Sequence, residues 1–168
     1  MRASARLVAA AGATHIVIPC NTAHARLAEI QQGVEVPILD MIRLAVDDLV
    51  NRHGRGRRVG LLATVGTINE RVYERTAGEA VAEWVLPAPG EQSRVSAAIL
   101  AVKVGRFDEA LQEVLDVTRH LGARGADVVV VGCTELSMCY EGLAAAGVPL
   151  VDPLRVVARH LVSMGAET

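Results

Sequence analysis

Gly125-Ala126-Asp127-Val128-Val129-Val130-Val131-Gly132-Cys133 decides the fold, because the chain contains the pattern twice. Residues 12–20 read Gly12-Ala13-Thr14-His15-Ile16-Val17-Ile18-Pro19-Cys20, the same arrangement 113 positions earlier. Each is a short β-branched run entered from Gly-Ala, and each ends on a cysteine. Val36-Pro37 with Asp40-x-x-Arg43 and Val148-Pro149 with Asp152-x-x-Arg155 extend the correspondence at an offset of 112. The repeat therefore covers two β-α-β stretches, and Cys20 and Cys133 close equivalent strands of two related halves. If the halves face each other across a cleft, two thiols meet one substrate from opposite sides. That arrangement suits removal of a proton from one face of a carbon and delivery of one to the other.

Outward from these blocks, short β-branched runs alternate with longer amphipathic ones, the pattern of an α/β protein with parallel strands. Strands are expected near 14–19, 36–40, 58–64, 84–87, 126–132 and 148–151. Helices are expected near 2–11, 22–32, 41–52, 68–80, 91–102, 106–122, 135–145 and 153–164. The four consecutive valines 128–131 read as a strand covered on both faces. The repeat divides the chain into a first lobe, 1–38 plus 151–168, and a second, 39–150.

Composition narrows the function classes. Half of the 168 residues are apolar and the formal net charge is −2, so no global field points to nucleic acid or to a membrane surface. The basic run 52–58 reads as a solvated helix-to-strand loop, because four aromatics in the whole chain make no stacking platform. Apolar runs are strand-length, short of a membrane span, and no signal-peptide pattern opens the chain. Three cysteines make no disulfide framework and fit a reducing, cytoplasmic setting. Their spacing resembles no zinc signature, so no metal is expected.

Cys20 stands in Pro19-Cys20-Asn21-Thr22-Ala23-His24 and Cys133 in Gly132-Cys133-Thr134-Glu135-Leu136, each where a strand's carboxyl end enters a helix. Ligands gather at that edge of an open α/β sheet, and helix N–H groups there favour a thiolate or a carboxylate. Asn21, Thr22 and Thr134 are capping types that can also donate to a carboxylate. Glu135 either orients the neighbouring thiol, shares its proton traffic, or is an ordinary first-turn acid. His24, one helical turn past Cys20, supports the loop or lies on the surface, and Cys139 reads as core. Thr64-Val65-Gly66-Thr67 is a third strand-to-turn transition bearing hydroxyls. Lys103 ends the helix 91–102, as dipole complement or as a cation for a substrate carboxylate.

The two cysteine motifs resemble those of the aspartate/glutamate racemase superfamily. The turn Leu62-Ala63-Thr64-Val65-Gly66-Thr67, Lys103-x-Gly105 and Asp152-Pro153 agree in order and approximate spacing. The resemblance implies two pseudo-symmetric α/β lobes with the active site between them. It implies racemisation without pyridoxal phosphate or any other cofactor, Cys20 and Cys133 alternating as thiolate base and thiol acid. Lys103 would hold a substrate carboxylate, while Asn21, Thr22, Thr64, Thr134 and Glu135 line the site. Glu135 after Cys133-Thr134 is similar to the aspartate-racemase branch, so the expected substrate is an acidic amino acid, aspartate before glutamate, and the expected assembly a homodimer. The superfamily also holds hydantoin racemases, maleate isomerases and arylmalonate decarboxylases. The decarboxylases use one catalytic cysteine, so the pair argues against them; the isomerases use two, and substrate tests separate those.

Members of that superfamily open with a strand and a Gly-rich loop, and the residues before position 12 contain neither. The first lobe is therefore expected to be incomplete, which raises a reading of another class, a non-catalytic fragment acting as a binding or regulatory subunit.

Overall fold

Every strand pairing is parallel, and the strands fall into two sheets in the computed structural model, which describes residues 1–166. The smaller sheet pairs β1 (Ile16–Val17) with β2 (Ile38–Leu39). The larger has the order β4 (Val81–Val85), β3 (Arg57–Ala63), β5 (Val128–Gly132), β6 (Leu150–Val151). Helices are α1 (Arg2–Ala10), α2 (Leu27–Gln31), α3 (Met41–His53), α4 (Val65–Asn69), α5 (Val72–Ala77), α6 (Pro89–Lys103), α7 (Phe107–Ala123), α8 (Tyr140–Leu143) and α9 (Pro153–Ala166).

The valine run explains the larger sheet. Successive strand residues point to opposite faces, and helices cover both, so no position can be polar. Val129 and Val131 pack among Val95, Ala98, Val114, Val117 and Leu121 of α6 and α7. Val128 and Val130 pack against Met41, Ala45 and Leu49 of α3, Tyr73 of α5, and Val156 and Val157 of α9. The small sheet has a separate and slighter core of Ala5, Ile16, Ile18, Ile30, Val34 and Ile38. Helix α9, grouped by the repeat with the first lobe, thus buries Val156 and Val157 in the core of the larger sheet; residues 167–168 of that expected segment lie outside the described residues.

The repeat is realised residue for residue. Ile16 pairs with Ile38 as Val129 pairs with Leu150. Asp40 Oδ1 accepts from the Ile42 and Arg43 amides at the start of α3, and Asp152 Oδ1 accepts from those of Leu154 and Arg155 at the start of α9. The Asp-x-x-Arg motif is thus a helix N-cap, with each aspartate satisfying amides that have no intrahelical acceptor.

Four expected elements differ. The single helix expected over 68–80 is α4 and α5, broken at Arg71, whose φ of +50° takes the chain out of helical geometry. A 3-10 turn at Gly78–Ala80 then feeds β4, which begins at Val81 rather than near 84. The helices expected directly after the cysteines open as 3-10 turns, Thr22–Arg26 and Leu136–Cys139, followed by five- and four-residue α-helices. Helices this short sum few peptide dipoles, so the thiols draw little from that source.

Candidate active site

Cys20 and Cys133 each follow the last residues of their strands, and the loops carrying them touch. Thr134 Oγ1 donates to the Pro19 carbonyl at 3.2 Å, a bond across 115 positions that joins the residue after one cysteine to the residue before the other. A second tie is made of hydroxyls. Thr22 lies 2.7 Å from Thr67 and 3.1 Å from Thr64, and Thr64 and Thr67 are 3.0 Å apart. Thr64 also caps α4 by accepting from the Thr67 amide. The Thr-x-Gly-Thr turn thus docks the first cysteine's loop onto the carboxyl end of β3.

The Cys20 thiol is exposed. His24 holds its backbone, with Nδ1 donating to the Cys20 carbonyl at 2.9 Å and Nε2 accepting from the Met41 amide at 3.2 Å. This bridge requires the tautomer protonated on Nδ1. Asn21 is 3% exposed and its Oδ1 accepts from the Tyr73 hydroxyl at 2.5 Å. Its Nδ2 is buried with no hydrogen-bond partner among the described residues. A buried amide N–H without an acceptor is costly, so this donor suits a ligand oxygen.

Cys133 is 5% exposed and donates to Glu135 Oε2 at 3.0 Å. Burial, then the hydrogen bond to Glu135 and the charge of that carboxylate, push the thiol up to about 12. Burial also pushes the Glu135 carboxyl up, but hydrogen bonds from Cys133 and its own amide, with Lys103 nearby, outweigh it and leave the carboxyl below its ordinary value. Lys103 Nζ lies 3.5 Å from Glu135 Oε1. The cation expected for a substrate carboxylate therefore reaches the Cys133 loop through a carboxylate of the protein itself. The Tyr73 phenol is raised well above its ordinary value, by burial first and then by Asp152, Cys133 and Asp40.

Hydrogen bonds and the Lys103–Glu135 ion pair bring Cys20, Asn21, Thr22 and Thr64, and Thr134, Cys133, Glu135 and Lys103, into two groups linked through Pro19. Cys139 is buried with its thiol 4.0 Å from the Phe107 carbonyl, a packing position. Among the described residues, no group of three or more His, Cys, Asp or Glu is placed to hold a metal ion, and no helix is long and apolar enough to cross a membrane. A cavity of about 500 Å³ lined by Arg43, Asp47, Asn51 and Arg55 includes neither Cys20 nor Cys133. Sequence reasoning missed Tyr73 and Gln92, whose Nε2 donates to the Ala63 carbonyl at 2.9 Å. Neither sits in a motif; contacts across 52 and 29 positions leave no local pattern. Thr67 joins this group as well, and its three-residue spacing from Thr64 is the cap geometry that could have marked it.

Residues 1–161 match the family model for Asp/Glu/Hydantoin racemase. The chain is 24% identical over 152 residues to a broad specificity amino-acid racemase of Bacillus subtilis, covering 90% of this chain and 65% of that protein. It is 32% identical over 167 residues to a glutamate racemase of Deinococcus radiodurans, covering 95% and 55%. Of solved structures, an aspartate racemase homologue from Pyrococcus horikoshii matches with a TM-score of 0.78 and 25% identity over 98% of this chain and 72% of that one. An aspartate racemase from Picrophilus torridus matches in fold with a TM-score of 0.76 and 24% identity over 90% and 62%. The chain spans roughly half to two thirds of the length of these two curated relatives.

Proposed function

The chain belongs to the Asp/Glu/Hydantoin racemase family, and from that premise we propose that it is a cofactor-independent racemase of an acidic amino acid, aspartate first. The observation that carries the reading is the contact between the two cysteine loops through Thr134 and the Pro19 carbonyl. It supports two thiols working on one carbon. One cysteine, as thiolate, removes the α-proton; the other, as thiol, returns a proton to the opposite face. The carbanion is planar between the two events, which is what erases handedness.

The remaining groups suit an amino acid with a second carboxylate. Asn21 Nδ2 is a buried donor awaiting an acceptor, and the Thr22, Thr64 and Thr134 hydroxyls lie beside it in the chain or bonded to its loop. Lys103, 57% exposed at its side chain, can turn from Glu135 toward an incoming anion. Its relatives include proteins named for glutamate and for broad specificity, so glutamate is the runner-up substrate. A reducing cytoplasmic setting belongs to the same reading, since all three cysteines are free. So does a homodimer.

The test is chiral chromatography of both enantiomers of aspartate and of glutamate incubated with the purified chain. Aspartate is expected to racemise fastest. Cys20→Ala and Cys133→Ala are each expected to lower racemisation in both directions by about 10³-fold or more, because each thiol is base for one enantiomer and acid for the other. Cys139→Ser should retain activity. Near-normal turnover in either single alanine variant would remove the two-thiol mechanism.

A further inference from the structure

The two residues after Cys20 are held by a single bent segment. Thr22 is bonded to Thr64 and Thr67, at the start of α4, 3.1 and 2.7 Å away. At Arg71 the chain turns through a φ of +50° and leaves as α5, whose second residue is Tyr73. Tyr73 is fully buried, its ring 5.7 Å from that of Trp84, and its hydroxyl donates to Asn21 Oδ1 at 2.5 Å. One arm of the bend therefore grips Thr22 and the other grips Asn21.

A primary amide has an acceptor on one side and donors on the other, and its shape alone does not say which way round it lies. The Tyr73 contact does. A separation of 2.5 Å belongs to an O–H···O bond, since N–H···O bonds run longer. With Oδ1 given to the phenol, Nδ2 faces elsewhere, buried and without a partner among the described residues, on a residue 3% exposed. Burial first, then Asp152, Cys133 and Asp40, keep the phenol in its protonated, donating form.

We propose that Tyr73 is a positioning residue for the reaction: it fixes the Asn21 amide so that a donor, and not an acceptor, meets an oxygen of the bound amino acid. The proposal rests on the racemase reading above, in which the substrate carries carboxylates. Turned over, the amide would set Oδ1 against a carboxylate oxygen, two acceptors with no proton between them. Nδ2 is already out of water, so an acceptor reaching it gains a bond without stripping a hydration shell from the amide. Tyr73 itself touches no substrate; it works through Asn21.

The experiment labels the chain with isotopic asparagine, which gives three side-chain amides, those of Asn21, Asn51 and Asn69, and identifies the Asn21 signal by its loss in Asn21→Ala. Proton exchange of that amide and its response to added aspartate are followed by NMR, and kcat and KM are measured for both enantiomers. Tyr73→Phe keeps the ring and removes only the hydroxyl. It is expected to speed exchange of the Asn21 amide and to raise KM for both enantiomers about tenfold, with kcat changed less. In an Asn21→Ala background the same change should leave KM unmoved, because Tyr73 acts through that amide. Thr76→Ala, on the same helix with its hydroxyl bonded to the Val72 carbonyl, should lower stability and leave KM alone. A Tyr73→Phe variant that loses kcat and urea resistance equally in both backgrounds, with KM unmoved, would overturn the proposal and leave Tyr73 a core residue. So would an Asn21 signal that answers to Asp152→Asn and not to aspartate, since Nδ2 would then be satisfied inside the protein, through a water on the buried Asp152 Oδ2. A chain that racemises neither amino acid, yet whose Asn21 amide loosens in Tyr73→Phe, would sink the functional reading while Tyr73's hold on the amide stood.

Discussion

The two halves of the repeat share a frame and differ in everything that touches the sulfurs. In both, a parallel pair of strands, a 3-10 turn after the cysteine and an aspartate-capped helix recur in matched register. Even the brace on the loop recurs. His24 ties the first turn to the amide of Met41 at the start of α3, and Ser137, its counterpart, ties the second to Asp152 at the start of α9, 3.0 Å away. Yet Cys20 is exposed above a two-stranded sheet, and Cys133 is buried at the end of a central strand facing Glu135. Duplication supplies the position of a thiol; its neighbours set its exposure and its hydrogen bonds.

The largest expected effect probes the frame at the residue before each cysteine, where one half has Pro19 and the other Gly132. A Cβ at position 132 would lie 2.7 Å from Leu61 Cδ1, and 3.2 Å from both Ala63 Cβ and the Leu62 carbonyl oxygen. Those neighbours belong to β3, paired on that side, so they have little room to give. Gly132→Ala is expected to cost about 1–3 kcal/mol from overpacking, read from the urea midpoint. It should also change the rate at which iodoacetamide alkylates Cys133 while leaving that of Cys20 unchanged. A loss within experimental error would mean the β3–β5 edge is looser than these distances state.

Those neighbours also mark what the sequence carried and what it did not. The buried strand at Val128–Val131 and the equivalent positions of Cys20 and Cys133 were legible because burial on two faces and internal duplication both leave local patterns. The break at Arg71 was not, since a positive φ in a non-glycine residue is imposed by packing and has no composition signature. That Asn21, Thr22 and Thr134 lie beside the cysteines follows from sequence adjacency alone. The partnership of Lys103 with Glu135 was not legible, because it joins residues 32 positions apart across α6 and the loop after β5. Charge partners are chosen by tertiary structure, so each appeared in the sequence as a separate candidate ligand.

A second prediction compares the braces. His24→Ala removes two hydrogen bonds around Cys20, and Ser137→Ala removes one near Cys133. At about 0.5–1.5 kcal/mol per bond, the histidine change should cost more, about 1–3 kcal/mol against about 1 in the urea midpoint. Its effect on rate should fall on kcat, because the Cys20 backbone loses its anchor while the groups bonded to Asn21 and Thr22 remain. Equal costs for the two would mean that one of the His24 bonds contributes nothing.

The smallest effect concerns the capping aspartates themselves. Asp152 is 3% exposed, and its Oδ2 is buried without a hydrogen-bond partner among the described residues. Burial raises its carboxyl above the ordinary 3.8, more than the bonds from Ser137 and the Arg155 and Leu154 amides and the charge of Arg155 lower it. A carboxyl raised in the folded state binds more protons folded than unfolded over that interval. Its contribution to stability therefore falls as pH rises from the unfolded value through the folded one, and stays low above it. Asp152→Asn keeps an oxygen to accept the capping amides and removes the ionisation. The variant should thus gain stability relative to the natural chain between about pH 4 and about pH 7, measured as the difference in urea midpoint at each pH. A difference that stays flat across that range would mean water reaches Asp152 Oδ2 and that the second cap is no more desolvated than the first.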